Sequence, residues 1–100
     1  DLSDRVIHDL MMATKEVAKL LDRRLDDVGR TGMIFEGFGV DHVHAKLYPM
    51  HGTADIGEWT PIESARNEYF EKYPGYLSSH DANRADDEGL ALLARKLKGE

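Results

Sequence analysis

The sequence has no cysteine, which excludes disulfides and thiolate metal sites and fits a reducing cytoplasm. It has no apolar run of about 18 residues, the length a membrane-crossing helix needs. It has no excess of positive charge. The net charge of −6 argues against binding nucleic acid through a basic surface, though a local pocket can still hold a phosphate. Signal-peptide patterning, internal repeats and low-complexity tracts are also missing. What remains is a chain of 100 residues, 41% hydrophobic and 32% charged, the composition of one small globular domain. It opens on Asp1 without a methionine and enters a helix almost at once, so part of the fold is expected to lie outside it.

Apolar residues recur at steps of three and four between residues 4 and 28: Val6, Ile7, Leu10, Met11, Val17, Ala18, Leu21, Leu25 and Val28. This periodicity predicts one long amphipathic helix, capped by Ser3 and stopped by Gly29. Met12 and Leu20 lie off the main stripe, which fits either a wide core face or a partner helix across a dimer. Residues 31–37, TGMIFEG, read as a short strand, GFG at 37–39 as a tight turn, and VDHVHAKLYP at 40–49 as a second strand. A loop follows. The capping pattern TPIE at 60–63 predicts a short helix to about Tyr73, and YLSSH at 76–80 a third strand. Trp59, Tyr69, Phe70, Tyr73 and Tyr76 read as packing for this segment. ADDEGLALLARKLK predicts a final helix, acidic at its start and basic at its end, with Asp81 or Asp86 as a capping residue. The fold class is α+β: an antiparallel sheet with a long amphipathic helix and a C-terminal helix.

Three of the five histidines fall between positions 42 and 51. Strand alternation puts His42, His44 and Lys46 on one face, with neighbouring side chains about 6–7 Å apart. Two imidazoles and an ammonium can meet phosphate oxygens with donors. An imidazole in a fixed tautomer can also attack phosphorus, and the ammonium would stabilise charge building on the phosphoryl oxygens. Two other readings stay open. The row can be a solvated face of an antiparallel sheet. His-x-His can bind a metal if His51, Glu36 or Asp41 supplies a third ligand, although the Lys46 ammonium would repel the cation.

The run VDHVHAKLYP resembles the signature of the histidine triad (HIT) family, in which His-x-His-x-His precedes two apolar residues and often a proline. The preceding MIFEGFG, a strand and a glycine turn, and the long helix before it agree with that family, so the likeness covers residues 3–50. It implies a HIT-like domain over residues 1–100, made of the C-terminal portion of the fold and a C-terminal extension, with the N-terminal part of the fold absent from this chain. It implies a homodimer that hydrolyses nucleotides or dinucleoside polyphosphates, or transfers a nucleotidyl group, at the α-phosphate. The intermediate would be a nucleotidyl-histidine, with no cofactor and no metal. His44 maps onto the nucleophile and His42 onto the residue that orients it. Lys46 stands where the third histidine belongs; the galactose-1-phosphate uridylyltransferase type has glutamine there. Lysine can bind phosphate but is a poor proton shuttle near neutrality, its reference pKa being about 10.4. Gly39 occupies the usual serine or threonine position, and Glu36 or Thr31 would stand in for an amide side chain. Glu36, Gly37, Gly39 and His51 are the expected substrate-binding residues, with Glu36 and Lys46 able to pair. Neither nucleic acid nor a membrane is an expected partner. The alternative is a HIT-like module that binds nucleotide or phosphate without turning it over.

Overall fold

The computed structural model describes residues 1–37, 40–55, 57, 69, 71–72 and 83–100. The described elements, in chain order, are α1 (Asp4–Arg24), β1 (Val28–Glu36), β2 (His44–His51) and α2 (Asp87–Lys98). The strands pair antiparallel, so the chain is α+β, with no described helix long and apolar enough to cross a membrane. The expected helix at 60–73 lies outside the described residues except at 69, 71 and 72, which are not helical, and the strand at 76–80 lies outside them, as do Gly39, Trp59, Phe70, Asp81 and His80. Tyr69, which was expected to pack, is exposed.

Helix α1 starts where its sequence directs. The Ser3 hydroxyl accepts a hydrogen bond from the Val6 N–H at 3.3 Å, and Asp4 complements the helix dipole. It ends earlier than the apolar period predicts, because Leu25 is already extended. Val28 therefore belongs to β1, where it is buried, and Gly29 is a strand residue. The buried line along α1 is narrow. Thr14 and Ala18 are buried, and Leu10 and Leu21 half-buried, while Val6, Ile7, Met11 and Val17 are exposed. The Thr14 hydroxyl donates to the Leu10 carbonyl at 2.7 Å, so the buried hydroxyl has a partner. Helix α2 is capped by Asp86, whose carboxylate accepts from the Gly89 N–H at 2.7 Å, and it ends on Gly99 with a left-handed φ of 81°. An exposed ion pair, Lys96 Nζ to Asp26 Oδ2 at 2.8 Å, joins α2 to the turn after α1.

The two faces of the hairpin do different work. Thr31 donates to Asp22 of α1 at 2.7 Å, and Phe35 lines a cavity with Ile7, Leu10 and Met11. These odd-numbered positions of β1, with Pro49, Leu47 and Ala45 opposite them, therefore turn toward α1. The other face carries Gly32, Ile34 and Glu36 opposite Tyr48, Lys46 and His44.

Closure of the far end of the hairpin depends on Thr53. The register steps three residues on β1, from Val28 to Thr31, against two on β2, from His51 to Pro49. This bulge withdraws the Gly29 and Arg30 N–H groups from the ladder. The Thr53 hydroxyl accepts from both, at 3.0 and 3.1 Å, and donates to the Met50 carbonyl at 2.6 Å. Gly29 is needed at this point, since a Cβ there would sit 2.6 Å from the Thr53 carbonyl oxygen. Replacing Thr53 with valine strands two donors and should lower stability by about 1–3 kcal/mol. Thr53→Ser keeps the hydroxyl and should cost about 1 kcal/mol or less, the value of one methyl group. Urea unfolding of the two variants measures the difference, and equal costs would show that the hydroxyl is not what closes the bulge.

Candidate functional site

The opposite end of the hairpin brings the histidines together. Strand β2 begins at His44, later than alternation alone predicts, and residues 40–42 form a bend in which the His42 N–H donates to the Val40 carbonyl at 2.7 Å. His42 is thus outside the regular strand, yet the bend folds its ring over His44, with centroids 4.4 Å apart and planes tilted by 55°. Gly37 permits this approach: a Cβ at that position would collide with the His42 carbonyl and touch the Val43 Cα at 3.0 Å. Gly37 therefore shapes the loop that carries His42.

Register decides which groups face His44. Glu36 sits directly across from His44 and diagonally from Lys46. Its side chain is only 14% exposed, while those of His44 and Lys46 are each 33% exposed. Lys46 Nζ forms an ion pair with Glu36 Oε1. His44 Nδ1 lies 4.0 Å from that same oxygen. This is too long for a hydrogen bond, and Nδ1 is buried with no hydrogen-bond partner among the described residues. A carboxylate, an ammonium and two imidazoles thus meet at one corner of the sheet.

A cavity of about 770 Å³ on the α1 side reaches this corner through Glu36 and His42, while His44 and Lys46 are not in its lining. Ile7, Leu10, Met11, Phe35 and Val43 give it apolar walls, and Glu36, Asp41 and His42 a polar edge. Sequence reasoning did not find the wall residues, because nothing in a helical period says which turn is left open. Nor did it find Asp41 at this edge, since a regular strand would have turned it away from the histidines.

His51 is not part of this group. It lies in β2 opposite Val28, seven residues from His44, or roughly 23 Å along a strand. His51, expected as a substrate-binding residue beside His44, therefore stands apart from it along the strand. Its Nδ1 meets both carboxylate oxygens of Asp27, at 2.9 and 3.0 Å, and the Gly52 N–H donates to Asp27 Oδ2 at 3.3 Å. Among the described residues, no three His, Asp or Glu side chains converge as metal ligands. Thr31, a possible stand-in for the family's amide, is engaged with Asp22 on the α1 face. Comparison with protein-family models, curated proteins and solved structures gives no match.

The Asp27 carboxyl is held below its ordinary value of 3.8, chiefly by the hydrogen bond with His51. A carboxylate depressed in the folded state adds stability that is present above about pH 4 and fades as the pH falls through the folded value. Asp27→Asn should therefore lower the Tm near neutral pH and narrow the gap from the wild type as the pH drops below about 4. Thermal melts at a series of pH values test this, and a gap that stays constant into acid would remove the linkage.

Proposed function

We propose that this chain is a HIT-type nucleotide hydrolase or nucleotidyl transferase, with His44 as the nucleophile. The observation that carries the proposal is the His44 ring on a paired strand, with His42 packed against it and Lys46 two residues on. In the reaction, the His44 Nε2 lone pair forms a bond to the α-phosphorus. The bond from phosphorus to the leaving phosphate oxygen breaks, and its electron pair departs with that oxygen. Water or another hydroxyl then attacks the phosphorus, the P–N bond breaks, its pair returns to Nε2, and the attacking group loses its proton to solvent. His42 buttresses the ring, and Lys46 offers a positive charge to the phosphoryl oxygens.

Two further features support a nucleotide. The cavity volume is within the range of small-molecule sites, and its apolar walls suit a planar base beside His42. The exposed apolar residues Val6, Met12 and Val17 on α1, which do not line the cavity, support the homodimer. A cytoplasmic location is part of the same reading and rests on the absence of cysteine. A second reading, a module that binds nucleotide without turnover, is favoured by one observation: Lys46 is engaged with Glu36 and stands where a proton-donating histidine belongs.

Intact-mass spectrometry after incubation with a dinucleoside polyphosphate, whose leaving group is a phosphate, separates these readings. The enzyme should gain one nucleotidyl group, and His44→Ala should abolish the gain. Absence of both adduct and turnover, together with tight calorimetric binding of adenosine monophosphate, would replace the enzyme with the binding module.

A further inference from the structure

We propose that Glu36 is a positioning residue for His44: its carboxylate accepts the Nδ1–H and so leaves the lone pair on Nε2, the nitrogen that attacks. This deepens the proposed function and rests on it for the identity of the reaction. The inference comes from an orphaned atom. His44 Nδ1 is buried and has no hydrogen-bond partner among the described residues. Leaving such a group unpaired costs about 1–3 kcal/mol, and unpaired buried polar groups in folded chains call for an explanation. A charged atom, Glu36 Oε1, lies 4.0 Å from His44 Nδ1. Antiparallel register fixes Glu36 across from His44, which keeps the two side chains within cross-strand reach.

The same oxygen already holds Lys46. An imidazole can take one of two neutral tautomers, and the partner of one ring nitrogen decides which is present. A carboxylate at Nδ1 selects the Nδ1–H form. When an anionic phosphate arrives, Lys46 turns toward it, Oε1 is relieved of the ammonium, and it closes on Nδ1–H. Orientation of the nucleophile is thereby coupled to occupancy of the site. Catalytic hydrogen bonds are commonly long without substrate and tighten in the complex. During attack the Nδ1 proton stays on the ring, and the carboxylate stabilises the positive charge that the ring acquires as the P–N bond forms. Glu36 was expected to touch the substrate; in this arrangement it acts through His44.

The test is long-range proton–nitrogen NMR on the uniformly 15N-labelled full chain, which reports the tautomer of each histidine. His44 in the wild type should be mostly Nδ1–H, and more so with adenosine triphosphate present. Glu36→Leu removes the acceptor and should shift His44 toward the Nε2–H form, while slowing adduct formation roughly ten- to hundredfold. Lys46→Met removes the ion pair but leaves the carboxylate, so it should retain the Nδ1–H form. A carboxylate that merely holds the strands together would make the two variants alike, and that result would overturn the proposal. So would a wild-type His44 that is mostly Nε2–H, an observation that needs no variant to fold. The tautomer measurement does not depend on turnover. An Nδ1–H ring that follows Glu36 without any nucleotidyl adduct removes the hydrolase reading and keeps the positioning role.

Discussion

The antiparallel register of β1 and β2 is the constraint on which the site depends. In a pleated pair each side chain's face is set by position, and a slip of one residue would send Glu36 to the α1 side and break its approach to His44 and Lys46. The far end pins that register. Thr53 takes up the two N–H groups that the bulge releases, and Asp27 accepts from the Thr53 and Ala54 N–H groups through its carbonyl, at 2.9 and 3.2 Å. A two-stranded hairpin is marginal alone in water, so these bonds and the packing of α1 on one face matter more than they would in a wide sheet. Residues remote from the histidines thus decide whether Glu36 faces His44 and Lys46.

The two ends of β2 each pair a histidine with a carboxylate, but the pairs differ physically. His51 and Asp27 are exposed and in direct contact. Water screens such a pair, and its effect is mainly local. His44 and Glu36 are more enclosed and stand 4.0 Å apart, and the carboxylate is paired with an ammonium. Partial burial raises the consequence of any unpaired group and strengthens any contact that does form. On the proposed reading the enclosed end is where a change of partners has chemical effect, while the exposed end serves as a clasp.

Much of this was legible in the sequence, and the misreadings have local causes. Ser3 and Asp86, the latter one of two candidate caps, mark their helices because a side-chain cap depends on one residue and its immediate neighbours. The face shared by His44 and Lys46 followed from the period of two. The start of β2 did not, because Val40–Asp41–His42 alternates as a strand would, while the chain bends at these residues. Gly29 looked like a helix stop because glycine suits both a helix end and a close backbone approach; proximity to Thr53, 24 residues away, decides between them. His51 was grouped with its neighbours in sequence, but a strand moves about 3.3 Å with every residue. Seven residues carried it to the other end.

A lysine in the third position also constrains the chemistry on the proposed reading. An ammonium with a reference pKa of about 10.4 delivers a proton reluctantly near neutrality. A leaving amine needs that proton before its bond to phosphorus can break, whereas a leaving phosphate is already a stable anion. Lys46 is therefore suited to reactions whose leaving group needs charge stabilisation, and poorly suited to those that need an acid. Its ion pair with Glu36 adds a second condition. The ammonium serves the leaving group only after it exchanges the carboxylate for the phosphate, and only an anionic ligand provides a reason to exchange. Selection for a phosphate leaving group and activation of His44 would then be two effects of a single change of partner at Glu36.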